Sequence, residues 1–283
     1  MLTYEVLESS RLRTLARHAA RQASGDLLGA FRTPMKKDFK RDAHDIVTLH
    51  DKNAEETIVQ CLKLEYPESV IVGEEGGTRG TGRVEWHIDP IDGTSNFSRG
   101  IAFWCISIAA VIEDRPVAGV IYDPVADNLF QADLTGAWLG EVPISVHAAE
   151  REIGATIVSS FPNAKDTWIF GPSAFDAQAR LIKSFQAVRN LGSGALNLAH
   201  VAAGWADSTM GFYTNSWDIA AGGFILQQAG GSFYGMEGGL PVEPYFRAPD
   251  YYAVGGAVEY RTLGQVVRDW SARYVPSELK VDA

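Results

Sequence analysis

The sequence predicts a mixed fold, α+β in its first half and α/β in its second, built as two packed subdomains. Three observations lead there. The chain has 283 residues, 46% of them hydrophobic, which is enough to bury a large core and close to the length at which one core divides into two. Its middle is rich in short apolar runs separated by turn residues, the mark of an antiparallel sheet. After Val142-Pro143 strand and helix signals alternate instead. The expected division falls near Ala148, giving an N-terminal subdomain over 1–147 and a C-terminal one over 148–283.

The elements follow from their periodicity. Leu7, Leu12, Leu15, Ala19 and Ala20 suit an amphipathic first helix, and Ala54, Ile58 and Leu62 a second, which Pro67 closes. Residues 69–72 and 84–88 read as short strands, the latter ended by Pro90. Strands are expected over 103–112, 116–122 and 128–132, with Glu113-Asp114 and Asp123-Pro124 as hairpin connections. Beyond the boundary come a strand at 155–159, a helix at 174–185, a strand at 187–191 and helices at 196–203 and 217–229. The polar end, 277–283, reads as a loose tail.

Composition narrows the function classes. A formal net charge of -10 argues against a broad nucleic-acid surface, because phosphate backbones are bound through Lys and Arg. An acidic chain that handles phosphate must do so locally, through metal ions and backbone amides. Cys61 and Cys105 are the only cysteines, too few for a disulfide framework, and read as buried thiols of a reducing compartment. Charged residues begin at Glu5, and no 18-residue apolar run occurs, so no membrane association is expected and the cytoplasm is the expected location. The six histidines show no paired ligand spacing.

Acidic residues cluster at the ends of predicted strands. Trp86-His87-Ile88-Asp89-Pro90-Ile91-Asp92-Gly93-Thr94 places two carboxylates, a backbone carbonyl and a hydroxyl after an apolar run, where open α/β sheets bind ligands. Carboxylate and carbonyl oxygens are the donors that Mg²⁺, Mn²⁺ or Ca²⁺ prefer. The same residues also make an ordinary solvated turn. Glu74 and Glu75 stand among glycines at the end of another apolar run, and Asp218 stands where a helix begins, a position equally suited to a helix cap. Asp51, ahead of Ala54-Glu55, carries the same two readings.

In order and separation, Gly73-Glu74-Glu75, Asp89-Pro90-Ile91-Asp92-Gly93-Thr94 and Trp217-Asp218-Ile219-Ala220-Ala221-Gly222 resemble the inositol monophosphatase family of metal-dependent, lithium-sensitive phosphatases. Asp45-Ile46-Val47-Thr48-Leu49-His50-Asp51 matches a fourth motif, Asp-x-Val-Thr-x-x-Asp, and the resemblance covers most of the chain. It implies the layered αβαβα sandwich of the inositol monophosphatase and fructose-1,6-bisphosphatase type, a homodimer, and a site with two or three Mg²⁺ ions, for which Mn²⁺ is a possible substitute. Glu74, Asp89 and the Ile91 carbonyl would hold the first ion, and Asp89, Asp92 and Asp218 the second, with a weaker ion near Glu74. Thr94, Asp51 and Glu74 would position the attacking water. Free backbone amides at Gly93 and Thr94, with Asp92, would meet the phosphate.

For the alcohol portion of the substrate the resemblance indicates Gly192, Ser193 and Gly194, although Ser193 equally suits a helix cap. Inositol phosphatases carry an acid seven residues before the Asp of the Trp-Asp motif. Here that residue is Gly211, which predicts a roomier and less polyol-selective pocket in which Ser160, Thr214 or Asn215 supplies hydrogen bonds. The expected activity is hydrolysis of a small phosphate monoester, inositol-1-phosphate-like, by metal-activated water. Histidinol-phosphate, fructose-1,6-bisphosphate and adenosine 3',5'-bisphosphate phosphatases share the scaffold. A regulatory partner-binding protein is the reading from another class. A haloacid-dehalogenase reading requires Asp-x-Asp-x-Thr, whereas this chain has Asp-x-x-Asp-x-Thr.

Overall fold

The structure, a computed structural model, describes residues 3–34, 38–39 and 46–273. His44, Asp45 of the upstream motif and the predicted tail lie outside the described residues. Helix α1 (Tyr4–Ala30) is longer than predicted. Its buried stripe of Leu12, Leu15, Ala16, Ala19, Ala20, Ala23 and Leu27 is rich in alanine, so the helix lies close against its neighbours. A two-stranded ribbon, β1 (Asp38–Phe39) and β2 (Ile46–Val47), leads into α2 (Leu49–Glu65), whose buried face is Asp51, Ala54, Glu55, Ile58, Val59 and Leu62.

The first sheet follows: β3 (Ser69–Gly73), β4 (Gly77–Gly80), β5 (Val84–Asp92), then the short helix α3 (Thr94–Arg99), and β6 (Cys105–Ile112), β7 (Arg115–Asp123), β8 (Asn128–Asp133), β9 (Gly136–Leu139) and β10 (Val142–Pro143). Its eight strands run in the order β10-β9-β8-β7-β6-β5-β3-β4. All neighbours are antiparallel except β3 and β5. Glu113 and Asp114, both at positive φ, make the tight β6–β7 hairpin. β5 departs from the prediction, since it continues through Pro90 to Asp92. The register with β6 shifts between Asp89 and Asp92, and such a bulge accommodates a residue that has no N–H to give the ladder.

The second half contains β11 (Thr156–Ser159), α4 (Ala164–Phe170), α5 (Ser173–Ser184), β12 (Ala187–Asn190), α6 (Gly194–Ala202), β13 (Ser208–Gly211), α7 (Ser216–Gln228), β14 (Ser232–Glu237), β15 (Leu240–Pro241), β16 (Asp250–Val254) and α8 (Arg261–Ser271). The second sheet has the order β12-β11-β13-β16-β14-β15 and is mixed, parallel around β11 and antiparallel beyond β13. Strands β13 to β16 and helices α4 and α8 are additional to the predicted elements.

Three cores define the layers. One lies between α1–α2 and the first sheet. A second joins Ala109, Ile121 and Phe130 of that sheet to Leu196, Leu198, Ile219 and Ile225 of α6 and α7, and to Val158, Phe233 and Ala253 of the second sheet. The third packs Ala177 and Leu181 of α5 and Val266 and Trp270 of α8 on the far face of the second sheet. The architecture is therefore an αβαβα sandwich. Because the middle core draws on both halves, the two are not separate hydrophobic units; we propose the subdomain division at 147/148, between β10 and β11.

Candidate active site

The site forms where the β3–β4 turn, the β5 bulge and the N-terminus of α7 meet. Asp89 is 3% exposed and its Oδ1 accepts from the Ile91 N–H at 3.0 Å, a bond that the bulge makes possible. Burial pushes its carboxyl well above the ordinary carboxylate range, and Glu74, Asp92 and Asp218 push it further. Asp218 is raised to about 8, first by burial and then by Glu74 and Asp92, against the hydrogen bond from Asn215 that favours its charged form. Asp92 is likewise raised by burial, although Ser193 Oγ donates to its Oδ2, as does the Ala195 N–H at 2.7 Å. Carboxylates from three chain segments thus repel one another here, an arrangement that a divalent cation would relieve.

Local bonds hold each acid in place. Asp51 and Asp218 are the third residues of their helices and not the caps: Thr48 caps α2, Asn215 caps α7, and each acid accepts the cap residue's own N–H, at 2.8 and 2.6 Å. Capping and site duty are therefore compatible, since Asp218 bonds Asn215 through Oδ2 and keeps Oδ1 for another partner. Buried Asp51 uses Oδ2 for Thr48 and Oδ1 to accept from Thr94 Oγ1 at 3.1 Å. The Thr94 hydroxyl also lies 2.9 Å from the Ile91 carbonyl oxygen, so it is shared between that carbonyl and the carboxylate. Burial raises the Asp51 carboxyl above its usual range. Gly93 precedes α3 with φ 95, a left-handed conformation suited to glycine.

The donor set of four carboxylates and one carbonyl fits a hard cation. Among the described residues, no three His, Cys, Asp or Glu side chains already converge as a closed metal-ligand cluster. Asp89, Asp92 and Asp218 each turn one oxygen to a backbone N–H, and Asp89 also shares a side-chain hydrogen bond with Glu74.

Beside the acids is a cavity of about 210 Å³ whose lining includes Asp92, Asp218, Ser160, Gly192, Gly194, Gly211 and Tyr251. Ser160, Gly192 and Gly194, expected at the alcohol portion of the substrate, all line this cavity. Ser193 does not reach it: the residue is 1% exposed, and its hydroxyl caps α6 through the Leu196 N–H at 3.3 Å while donating to Asp92. Thr214 Oγ1 lies within 3.2 Å of the Ala248 and Pro249 carbonyls, which occupy its proton, and Asn215 is turned to Asp218. Gly211 lines the cavity, but the space beside it is not open to a side chain. A Cβ there would meet Tyr251 Cε1 at 2.6 Å and Thr214 Cγ2 at 3.2 Å, so the Tyr251 ring fills the space that a side chain would take.

Sequence reasoning missed several supporting residues. Asn96 Nδ2 donates to the Phe103 and Leu191 carbonyls, both at 2.8 Å, and so ties the loop carrying Gly192 to the α3 region. Ser107 Oγ reaches the Trp217 carbonyl at 3.1 Å, joining β6 to the start of α7. Neither had a local signal. Glu55 did: it sits with Asp51, Ile58 and Leu62 on the buried stripe of α2, where a charge is out of place.

Known proteins resemble this chain over most of its length. The sequence profile of the inositol monophosphatase family matches residues 8–271. An inositol monophosphatase of Mesembryanthemum crystallinum is 35% identical over 205 residues, covering 69% of this chain and 74% of that one. The Nus factor SuhB of Pasteurella multocida is 34% identical over 231 residues, 80% of this chain and 85% of its own. Among solved structures, a Thermotoga maritima IMPase superposes with a TM-score of 0.80 at 27% identity, covering 92% of this chain and 98% of that one.

Proposed function

Since the chain belongs to the inositol monophosphatase family, we propose that it is a Mg²⁺-dependent phosphatase that hydrolyses a small phosphate monoester by direct attack of water. The observation that carries this reading is the grouping of Glu74, Asp89, Asp92 and Asp218, acids from three segments; burial first, and then their mutual repulsion, raises the Asp89 and Asp218 carboxyls. A binding module gains nothing from that electrostatic cost, whereas a two-metal site requires it.

Glu74, Asp89 and the Ile91 carbonyl are assigned to one ion and Asp89, Asp92 and Asp218 to another, with Mn²⁺ as a substitute. Bound Mg²⁺ supplies charge stabilisation of the phosphoryl and leaving oxygens and makes water more acidic. The chain's own contribution is alignment. Thr94 gives its proton to Asp51 or to the Ile91 carbonyl, which leaves an oxygen lone pair to accept from the attacking water; Glu74 is the second acceptor. Gly93 lets the backbone approach the phosphate, and Ser160, Gly192 and Gly194 border the alcohol. Attack by water in one displacement inverts the configuration at phosphorus, in contrast to an aspartyl-phosphate route.

A second reading, partner binding, is favoured by the relatives called Nus factor SuhB. The two roles are compatible on one chain. We place the protein in the cytoplasm and read it as a homodimer; no helix among the described residues is long and apolar enough to cross a membrane. Turnover of a panel of phosphate esters, including inositol 1-phosphate, with Mg²⁺ and with chelator, tests the activity. Release of phosphate that requires Mg²⁺ and fails in Asp89→Asn is expected; absence of turnover across the panel would leave partner binding as the function.

A further inference from the structure

We propose that Glu55 is a positioning residue for the metal site, holding the turn that presents Glu74. The inference rests on the metal reading above. Glu55 lies on the buried face of α2 and is 2% exposed. A carboxylate so placed is costly unless it is compensated, and its compensation comes from the turn after β3 and from β4. Oε2 accepts from the Glu75 N–H at 2.8 Å and Oε1 from the Gly76 N–H at 2.9 Å. Arg79 on β4 adds a longer contact, with Nη2 at 3.4 Å from Oε1.

The turn is shaped around that carboxylate. A Cβ on Gly73 would lie 2.5 Å from the Glu55 carboxyl carbon, and one on Gly76 would lie 2.0 Å from Arg79 Nη1 and 2.6 Å from Glu55 Oε1. Glycines therefore flank the two glutamates because the Glu55 head group, joined at Gly76 by the Arg79 guanidinium, occupies the space of their side chains. Glu74 is pinned from both directions: its own N–H donates to the Ile88 carbonyl at 3.1 Å, beside Asp89, and the next two N–H groups are held by Glu55.

The same helix serves the other side of the site. Asp51 is one helical turn before Glu55 and holds Thr94. Helix α2 thus presents two buried carboxylates, one fixing the hydroxyl that aims water and one fixing the backbone of a metal ligand. The distance between Glu74 and Thr94 is set by one rigid element. Partners that orient metal ligands typically alter affinity by ~10–100-fold when removed, and Glu55 is expected to fall in that range.

The test is Mn²⁺ binding to the full chain without substrate, followed by electron paramagnetic resonance, with melting temperature measured in parallel. Wild type is expected to bind, Glu74→Gln to bind weakly, and Glu55→Gln to lose on the order of tenfold in affinity. Because Glu55 acts through Glu74, adding Glu55→Gln to Glu74→Gln should weaken binding no further. Gly73→Ala keeps the charge but displaces the Glu55 head group, the nearest group its methyl would meet, and should also weaken binding, which covers the case of a Glu55 variant that does not fold. Full Mn²⁺ affinity in folded Glu55→Gln or in Gly73→Ala, or an undiminished loss in the Glu74→Gln background, overturns the inference while leaving the metal reading intact. Failure of the wild type to bind Mn²⁺ overturns both.

Discussion

Replacing Gly211 by alanine should destabilise the protein, and the size of the effect follows from Tyr251. The added Cβ would sit 2.6 Å from Tyr251 Cε1, whereas carbon atoms in contact prefer about 3.5–4.0 Å. The backbone of Gly211 is not in the left-handed region, so the penalty is steric and not conformational. The ring cannot swing away easily: Tyr251 is 1% exposed, pairs with Gly211 across β13 and β16, and stacks on Phe233 at 4.8 Å. Overpacking of this kind costs about 1–3 kcal/mol. For a chain of this size that is a fall in melting temperature of roughly 2–4 °C per kcal/mol, measurable by calorimetry. Tyr251→Ala alone should also destabilise by leaving a cavity, but the double variant should be less damaged than the sum of the two, because the methyl then enters the space the ring left. Gly211→Glu should lose stability as well and gain no selectivity for inositol 1-phosphate unless Tyr251 is trimmed. An unchanged melting temperature in Gly211→Ala, or raised inositol selectivity in a fully stable Gly211→Glu, would show that the ring yields and refute the argument.

Other consequences concern the acids. Asp218 and Asp89 have folded pKa values raised above the unfolded carboxylate range, so the folded state binds their protons more tightly; metal-free protein should lose stability as pH rises from about 4 to about 8, and saturating Mg²⁺ should flatten that slope in thermal melts. Asp89→Asn should abolish turnover while raising the melting temperature of metal-free protein near neutral pH, since one member of the repelling group is then neutral. Thr94→Ala should lower kcat by about 10²-fold or more with little change in KM, and Thr94→Ser should restore much of it, as steady-state kinetics would show.

Much of the site was legible because its residues are local signals. Acids after apolar runs, a proline and glycines at strand ends, and an acid at a helix start are all short-range patterns, and they mark Glu74, Asp89, Asp92 and Asp218 in the sequence itself. Other features were not legible for a physical reason. Pro90 read as the end of a strand, because the bulge that lets β5 continue depends on its pairing with β6, far along the chain. Ser193 read as a substrate contact or a cap; that it also holds Asp92 depends on a neighbour that sequence spacing does not bring close. Gly211 read as empty space, because a glycine discloses its own missing side chain and nothing of the ring that fills the gap.

The sequence by itself determined the mixed fold class, most of the helices, the antiparallel middle sheet and the identity of the repelling acids, because periodicity and turn chemistry act over a few residues. Tertiary structure alone decided that the halves share a middle core, that Tyr251 closes the space at Gly211, and that Glu55 grips the turn bearing Glu74. Those facts depend on packing and on hydrogen bonds between segments tens of residues apart, where geometry is set by the whole sandwich and leaves no trace in local pattern.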